Sequence, residues 1–165
     1  MGAYDKALPF SLRALTIAEK TQGMECYGTG LRLADLAWLH QALGEYDKAL
    51  PLYQRELAIT EKMVGAEHPD TGICLAKLAG LYRKMGAYDK ALPLSLRALA
   101  IAEQAQGPEH PDTGIRLNDL AELYRVMGEY DKALPISLRA MAIAEKDQRQ
   151  GQPGMAARLH NLALL

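Results

Sequence analysis

Apolar residues recur at steps of three and four along this chain, and the pattern restarts at fixed intervals. Leu75, Leu78, Ala79 and Tyr82 form one such stripe, which predicts an amphipathic helix of about four turns. Pro69, Asp70 and Thr71 precede it and supply helix-start chemistry, a proline for the first turn and side-chain oxygens for free amides. Gly86 ends it, with Arg83 and Lys84 in the last turn, where cations suit the helix dipole. A second stripe opens at once: Tyr88, Ala91, Leu92, Ser95, Ala98, Leu99 and Ala102. It runs to about Gln104 and is broken by Gly107 and Pro108. Two helices joined by so short a turn lie antiparallel and side by side. Ala79, Ala91 and Ala98 mark the closest approach of the two backbones, where larger side chains would overpack. Pro93 lies inside the second helix, and a mild bend is expected there without a break.

The same phrase, Gly-x-Tyr-Asp-Lys-Ala-Leu-Pro, begins at Gly2, Gly44, Gly86 and Gly128, each 42 residues after the last. Arg13, Arg55, Arg97 and Arg139 keep that period, as do Ile17, Ile59, Ile101 and Ile143. A fixed period in the range of roughly 20 to 50 residues predicts stacked supersecondary units. The units read as a lone second helix at 1–20, hairpins at 29–63, 71–104 and 113–146, and a lone first helix at 155–165, eight helices in one repeat domain spanning 1–165.

Leu75, Leu78, Ala79, Tyr82, Gly86, Tyr88, Ala91 and Ala98 resemble the tetratricopeptide signature in order and spacing. The unit is longer than the standard repeat of about 34 residues. With the His-Pro-Asp-Thr and Ala-Leu-Pro-Leu phrases it is similar to the kinesin-light-chain-type subgroup. The resemblance implies an all-α, right-handed superhelical solenoid whose first helices line a concave groove. Carried over by position, the groove candidates are Asp35, Trp38 and Gln41; Lys77, Gly80, Arg83 and Lys84; Asn118, Asp119, Glu122 and Arg125; and His160 and Asn161. The family's paired asparagines that grip a ligand backbone survive as Asn118 and Asn161, while Ala34 and Ala76 stand in the other units. Taken one by one these residues also suit a solvated face of mixed charge; taken together they suit a binding groove. Trp38, one residue past Ala37 and off the stripe of Leu33, Leu36 and Ala37, is expected on the concave face and partly exposed.

Other chemistry is thin. His68 and His110 recur beside proline, where helix-start capping or loop packing fits better than a metal site, whose ligands would have to converge from several units. Ser11, Ser95 and Ser137 share one repeat position, with Tyr53 the exception. No His and acid repeat beside them, so they read as packing residues. No phosphate-binding glycine loop and no Cys-x-x-Cys pair occur, so neither a cofactor nor a catalytic residue is expected. Nineteen Lys and Arg against twenty Asp and Glu leave a net charge of −1, which argues against a nucleic-acid partner. No apolar run is long enough to span a membrane, and the first residues carry neither a signal segment nor a good myristoylation site. The two cysteines, Cys26 and Cys74, read as reduced thiols of a cytoplasmic protein, Cys74 near the core.

The expected function is a non-enzymatic scaffold that takes a peptide or partner segment in its groove. The alternative is a regulatory or sensor array of a larger signalling protein with a protease or nucleotide-switch domain. The apolar stripes of both end helices, Leu8, Leu12 and Leu15 at one end and Leu159, Leu162, Ala163 and Leu165 at the other, predict head-to-tail association of copies, the alternative being a two-fold dimer that buries the same end helices against themselves.

Overall fold

A computed structural model of the protein describes residues 3–149. Among them are seven helices and no strand: α1 (Ala3–Gln22), α2 (Tyr27–Ala42), α3 (Tyr46–Val64), α4 (Pro69–Lys84), α5 (Tyr88–Gln106), α6 (Pro111–Val126) and α7 (Tyr130–Arg149). Each packs against its neighbours in sequence, most extensively within the pairs α2–α3, α4–α5 and α6–α7. The result is an all-helical solenoid. The expected eighth helix, 155–165, lies outside the described residues.

The turns inside each pair follow from glycine. Gly86 has φ +75°, a left-handed conformation in which a side chain is strained. The Gly86 amide donates to the Arg83 carbonyl at 3.1 Å and the Ala87 amide to the Tyr82 carbonyl at 2.9 Å. These two bonds close the helix in the Schellman manner, and Gly44 and Gly128 repeat the conformation. At the start of α4 and α6 the cap is histidine: His68 Nδ1 accepts from the Asp70 amide and His110 Nδ1 from the Asp112 amide, both at 3.2 Å. In α2 the Cys26 sulfur takes that place, accepting from the Thr29 amide at 3.3 Å. Thr29, Thr71 and Thr113 are fully buried. Their hydroxyls donate to the carbonyls of Gly23, Gly65 and Gly107 at 2.6, 2.7 and 2.8 Å, which ties each first helix to the end of the helix before it. The helices run unbroken through Pro9, Pro51, Pro93 and Pro135. Each of these prolines is exposed.

The repeated arginines join successive second helices. Arg55 reaches Glu19 at 2.6 Å, Arg97 reaches Glu61 at 2.8 Å and Arg139 reaches Glu103 at 2.6 Å. Each also donates to a carbonyl of the intervening loop, at Met24, Ala66 and Pro108. These pairs are partly exposed, so they set register more than they add stability.

The core is a chain of small clusters: Leu15, Leu33, Leu36 and Ile59; then Ala37, Ala49, Tyr53, Leu78 and Leu81; then Leu75, Ala98 and Ile101; then Leu117, Ala140 and Ile143. Ala49, Ala91 and Ala133 have no exposed surface and let the paired helices touch. Of the stripes read from sequence, Leu75, Leu78, Ala79, Ala91, Ser95, Ala98 and Ala102 are buried and Tyr82, Tyr88, Leu92 and Leu99 half-buried, while Leu12 of α1 is exposed; elsewhere the burial goes further. Leu81 and Ile101 lie off those stripes and are also fully covered. An interior helix of a stack is flanked on several sides, so it buries a wider arc than one amphipathic stripe.

Candidate functional site

Hollows open between successive first helices, floored by the second helix that connects them. One, about 450 Å³, is lined by Ala7 and Ser11 of α1, Ala34, Asp35, Trp38 and Leu39 of α2, Tyr53 of α3 and Lys77 of α4. Trp38 is 50% exposed and meets Tyr4 edge to face with ring centroids 5.5 Å apart. Tyr53 is buried at the floor, and burial first, then the Glu56 carboxylate, pushes its hydroxyl up to about 12. A smaller hollow one repeat on is lined by Ala76, Gly80 and Arg83 of α4, Ser95 of α5, and Arg116 and Asp119 of α6.

The structure thus brings Asp35, Trp38 and Lys77 to one hollow and Gly80, Arg83 and Asp119 to the next. Asp119 is paired with Arg116 at 3.1 Å with about half of its side chain open to solvent. The surrounding groove walls nonetheless raise its carboxyl above the usual value, against the opposing pull of Arg116 and Arg83. Glu122 accepts two bonds from Arg125, at 2.7 and 2.8 Å, and one from Arg83 at 3.4 Å across to α4. Asp35 is held by Arg32 at 2.7 Å. Gln41 and Lys84 stand at the ends of their helices and line neither hollow, Lys84 being exposed and Gln41 half-buried. Asn118 is half-buried on α6. His160 and Asn161 lie outside the described residues. Where the repeat elsewhere has tyrosine, the buried His40 ring places Nδ1 2.6 Å from Glu45 Oε2.

A third hollow, about 120 Å³, has no counterpart among the groove candidates apart from Lys77. Tyr27 and Leu31 of α2, Glu56 and Thr60 of α3, and Asp70 and Cys74 of α4 line it with Lys77. Glu56 Oε1 accepts from Lys77 Nζ at 2.6 Å and lies 3.3 Å from the Cys74 thiol. Tyr27 donates to Asp70 Oδ2 at 2.8 Å, and that acceptor raises its hydroxyl's pKa. Burial chiefly, with Glu56 adding to it, pushes the Cys74 thiol up to about 12, so this cysteine is an inert core group as its sequence position implies. A signal for the site exists in the sequence. Glu56 stands where the other units carry Ala14, Ala98 and Ala140, and one acid in a column of alanines is conspicuous.

Among the described residues no group of three or more His, Cys, Asp and Glu side chains is placed to hold a metal ion, and no helix is long and apolar enough to cross a membrane. A tetratricopeptide repeat profile matches residues 1–62, 39–94 and 70–146. Among curated proteins no relative is found. Among solved structures the chain is similar to a kinesin-light-chain-type protein of Podosopora anserina with nearly identical TPR-like repeats, at 27% identity and TM-score 0.80, covering 97% of this chain and 76% of that one. A single-substitution variant of that same protein aligns at 26% identity and TM-score 0.81 over the same shares. BtubC (BKLC) from P. vanneervenii shares the fold at 24% identity and TM-score 0.79, over 92% of this chain and 59% of its own. The helix pairs, their glycine turns and the overlapping profile matches agree along the described solenoid, and the chain belongs to the tetratricopeptide repeat family.

Proposed function

We propose that this protein is a non-catalytic interaction scaffold that receives an extended or helical segment of a partner protein along the groove of its first helices. The observation that carries the reading is the hollow around Trp38. A large aromatic stays half exposed beside a buried tyrosine floor, flanked by one acid and one base, Asp35 and Lys77. Aromatic anchors beside a few oriented polar groups are the usual energetic centre of such surfaces. Two free cysteines suit a reducing compartment, so the cytoplasm is the proposed setting.

Peptide display tests the reading directly. Peptides enriched on the intact protein are expected to bind a Trp38→Ala, Asn118→Ala variant with at least about 2 kcal/mol less affinity, roughly 30-fold. Equal enrichment on both proteins would overturn it.

A second reading, head-to-tail association of copies, is favoured by α1. Phe10 and Ile17 are 73% and 51% exposed, whereas the repeat equivalents of Ile17, namely Ile59, Ile101 and Ile143, are 4%, 1% and 5% exposed. Segment 155–165, outside the described residues, carries Leu159, Leu162, Ala163 and Leu165 in the register of buried Leu117, Leu120, Ala121 and Leu123. A copy offering that segment to α1 of the next would make a heterologous, open-ended contact. Light scattering is expected to show mass rising with concentration, and Phe10→Lys to abolish the rise. A constant monomer mass would refute it.

A further inference from the structure

Nearly identical repeats make each departure from the repeat informative, and five departures cluster around Glu56, four of them lining the third hollow and Tyr53 the floor of the hollow around Trp38. Along α3, Tyr53, Glu56 and Thr60 replace a serine and two alanines of the other units; along α4, Cys74 and Lys77 replace the arginine and aspartate seen as Arg32 and Asp35, and again as Arg116 and Asp119. The Glu56 side chain is only 4% exposed. Its Oε1 is served by Lys77 and Cys74, but its Oε2 has no hydrogen-bond partner, alone among the buried side-chain nitrogens and oxygens of the described residues. An orphaned buried carboxylate oxygen is costly. Beside it lies the 120 Å³ hollow, which also holds Asp70. The corresponding hollow of the next repeat is about 60 Å³, with Ala98 in place of Glu56 and Arg116 in place of Cys74. The first hollow is therefore larger, and it carries two carboxylates against one ammonium.

We propose that this hollow is the receptor for an arginine side chain of the segment bound in the groove, with Lys77 as the resident cation that the arginine displaces. A planar guanidinium presents two parallel N–H donors and can serve both oxygens of one carboxylate, which the single ammonium of Lys77 does not. The space is several times that of a water molecule. Lys77 has room to leave: it is 35% exposed and also lines the 450 Å³ hollow, where Asp35 stands. Glu56 adds to the raised thiol of Cys74 and hydroxyls of Tyr53 and Tyr27, behind burial for the first two and behind the Asp70 hydrogen bond for the third. One arginine seated here would fix the register of a partner along an otherwise repetitive groove.

The proposal rests on the groove reading, and its test is separate from it. Agmatine, a small compound with a guanidinium at one end and an ammonium at the other, is titrated into the full chain at millimolar concentration and followed by amide NMR, with n-butylamine and the equally charged 1,4-diaminobutane as the ammonium controls. Saturable shifts are expected at Thr60, Cys74 and Lys77, several-fold weaker with either amine. They are expected to vanish in Glu56→Ala, which restores the residue of the other repeats. Lys77→Met is expected to melt at lower temperature and to regain that loss when agmatine is added. Shifts that persist in Glu56→Ala, no saturable shift, or a Lys77→Met protein indifferent to agmatine would overturn the proposal, an internal water then being all that the hollow holds. If agmatine binds as expected while peptide display fails, the guanidinium site stands and the groove reading falls.

Discussion

Lys77→Ala is expected to destabilise the fold by about 3 kcal/mol, whereas Glu56→Ala is expected to cost nothing or to stabilise. Taking one partner from a buried ion pair leaves a charge without compensation, which costs roughly 3–5 kcal/mol. The lower end applies because the ammonium sits at the edge of the hollow, about a third exposed, so water can enter behind it. Removing the acid is different. Lys77 then turns to solvent, and the alanine is the residue that α5 and α7 already accommodate as Ala98 and Ala140, each 1% exposed. Replacing a buried pair by well-packed apolar groups is often neutral or stabilising. Urea unfolding of the two single variants and the double variant checks this as a cycle, with the double variant expected to recover most of the loss. A Lys77→Ala protein within about 0.5 kcal/mol of the parent, the range of an ordinary surface substitution, would show that Glu56 is hydrated in the native state.

Leu75→Ala is expected to cost about 3 kcal/mol, within the roughly 2–5 kcal/mol range of buried leucine truncations. Leu75 has no exposed surface and packs with Ala98 and Ile101, so the cavity has aliphatic walls and nothing nearby to fill it. The location adds a second consequence. A stack in which each unit leans mainly on its neighbours loses coupling between its two sides when a middle junction weakens. Amide exchange should therefore quicken on both sides of α4. The equivalent Leu33→Ala, near the N-terminal end of the stack, should loosen chiefly α1 to α3. Exchange that quickens uniformly along the chain in both variants, or a cost for Leu75→Ala below about 1 kcal/mol, would contradict this account.

How much of the site can be read beforehand depends on the distance over which each interaction acts. Trp38 is legible as exposed because its neighbours Leu36 and Ala37 occupy the inward side of the same helix turn. Cys74 is legible as a core group from the stripe around it. Glu56 is not among the groove candidates, although it stands out once its column of alanines is compared. Its partner Lys77 is a groove candidate without the acid it pairs with, because the two sit on different helices and nothing local links them. Gln41 and Lys84 follow from helix position alone, and the structure leaves them at helix ends beyond both hollows.

The helices, their turns and their stacking are written in the amino-acid order. They rest on local physics: a glycine that tolerates positive φ, a proline at the first turn, and stripes at helical spacing, all repeated until chance is excluded. The small residues at the seams are equally legible, since alanine recurs wherever two backbones touch. Which residues outside the stripes are covered, as Leu81 and Ile101 are, emerges only on assembly, because that depends on a third helix arriving from the neighbouring unit. The same holds for the meeting of Glu56 and Lys77 at 2.6 Å with one carboxylate oxygen left unserved. Ion pairing and desolvation depend on where two helices bring their side chains in space, and spacing along one helix carries no trace of that.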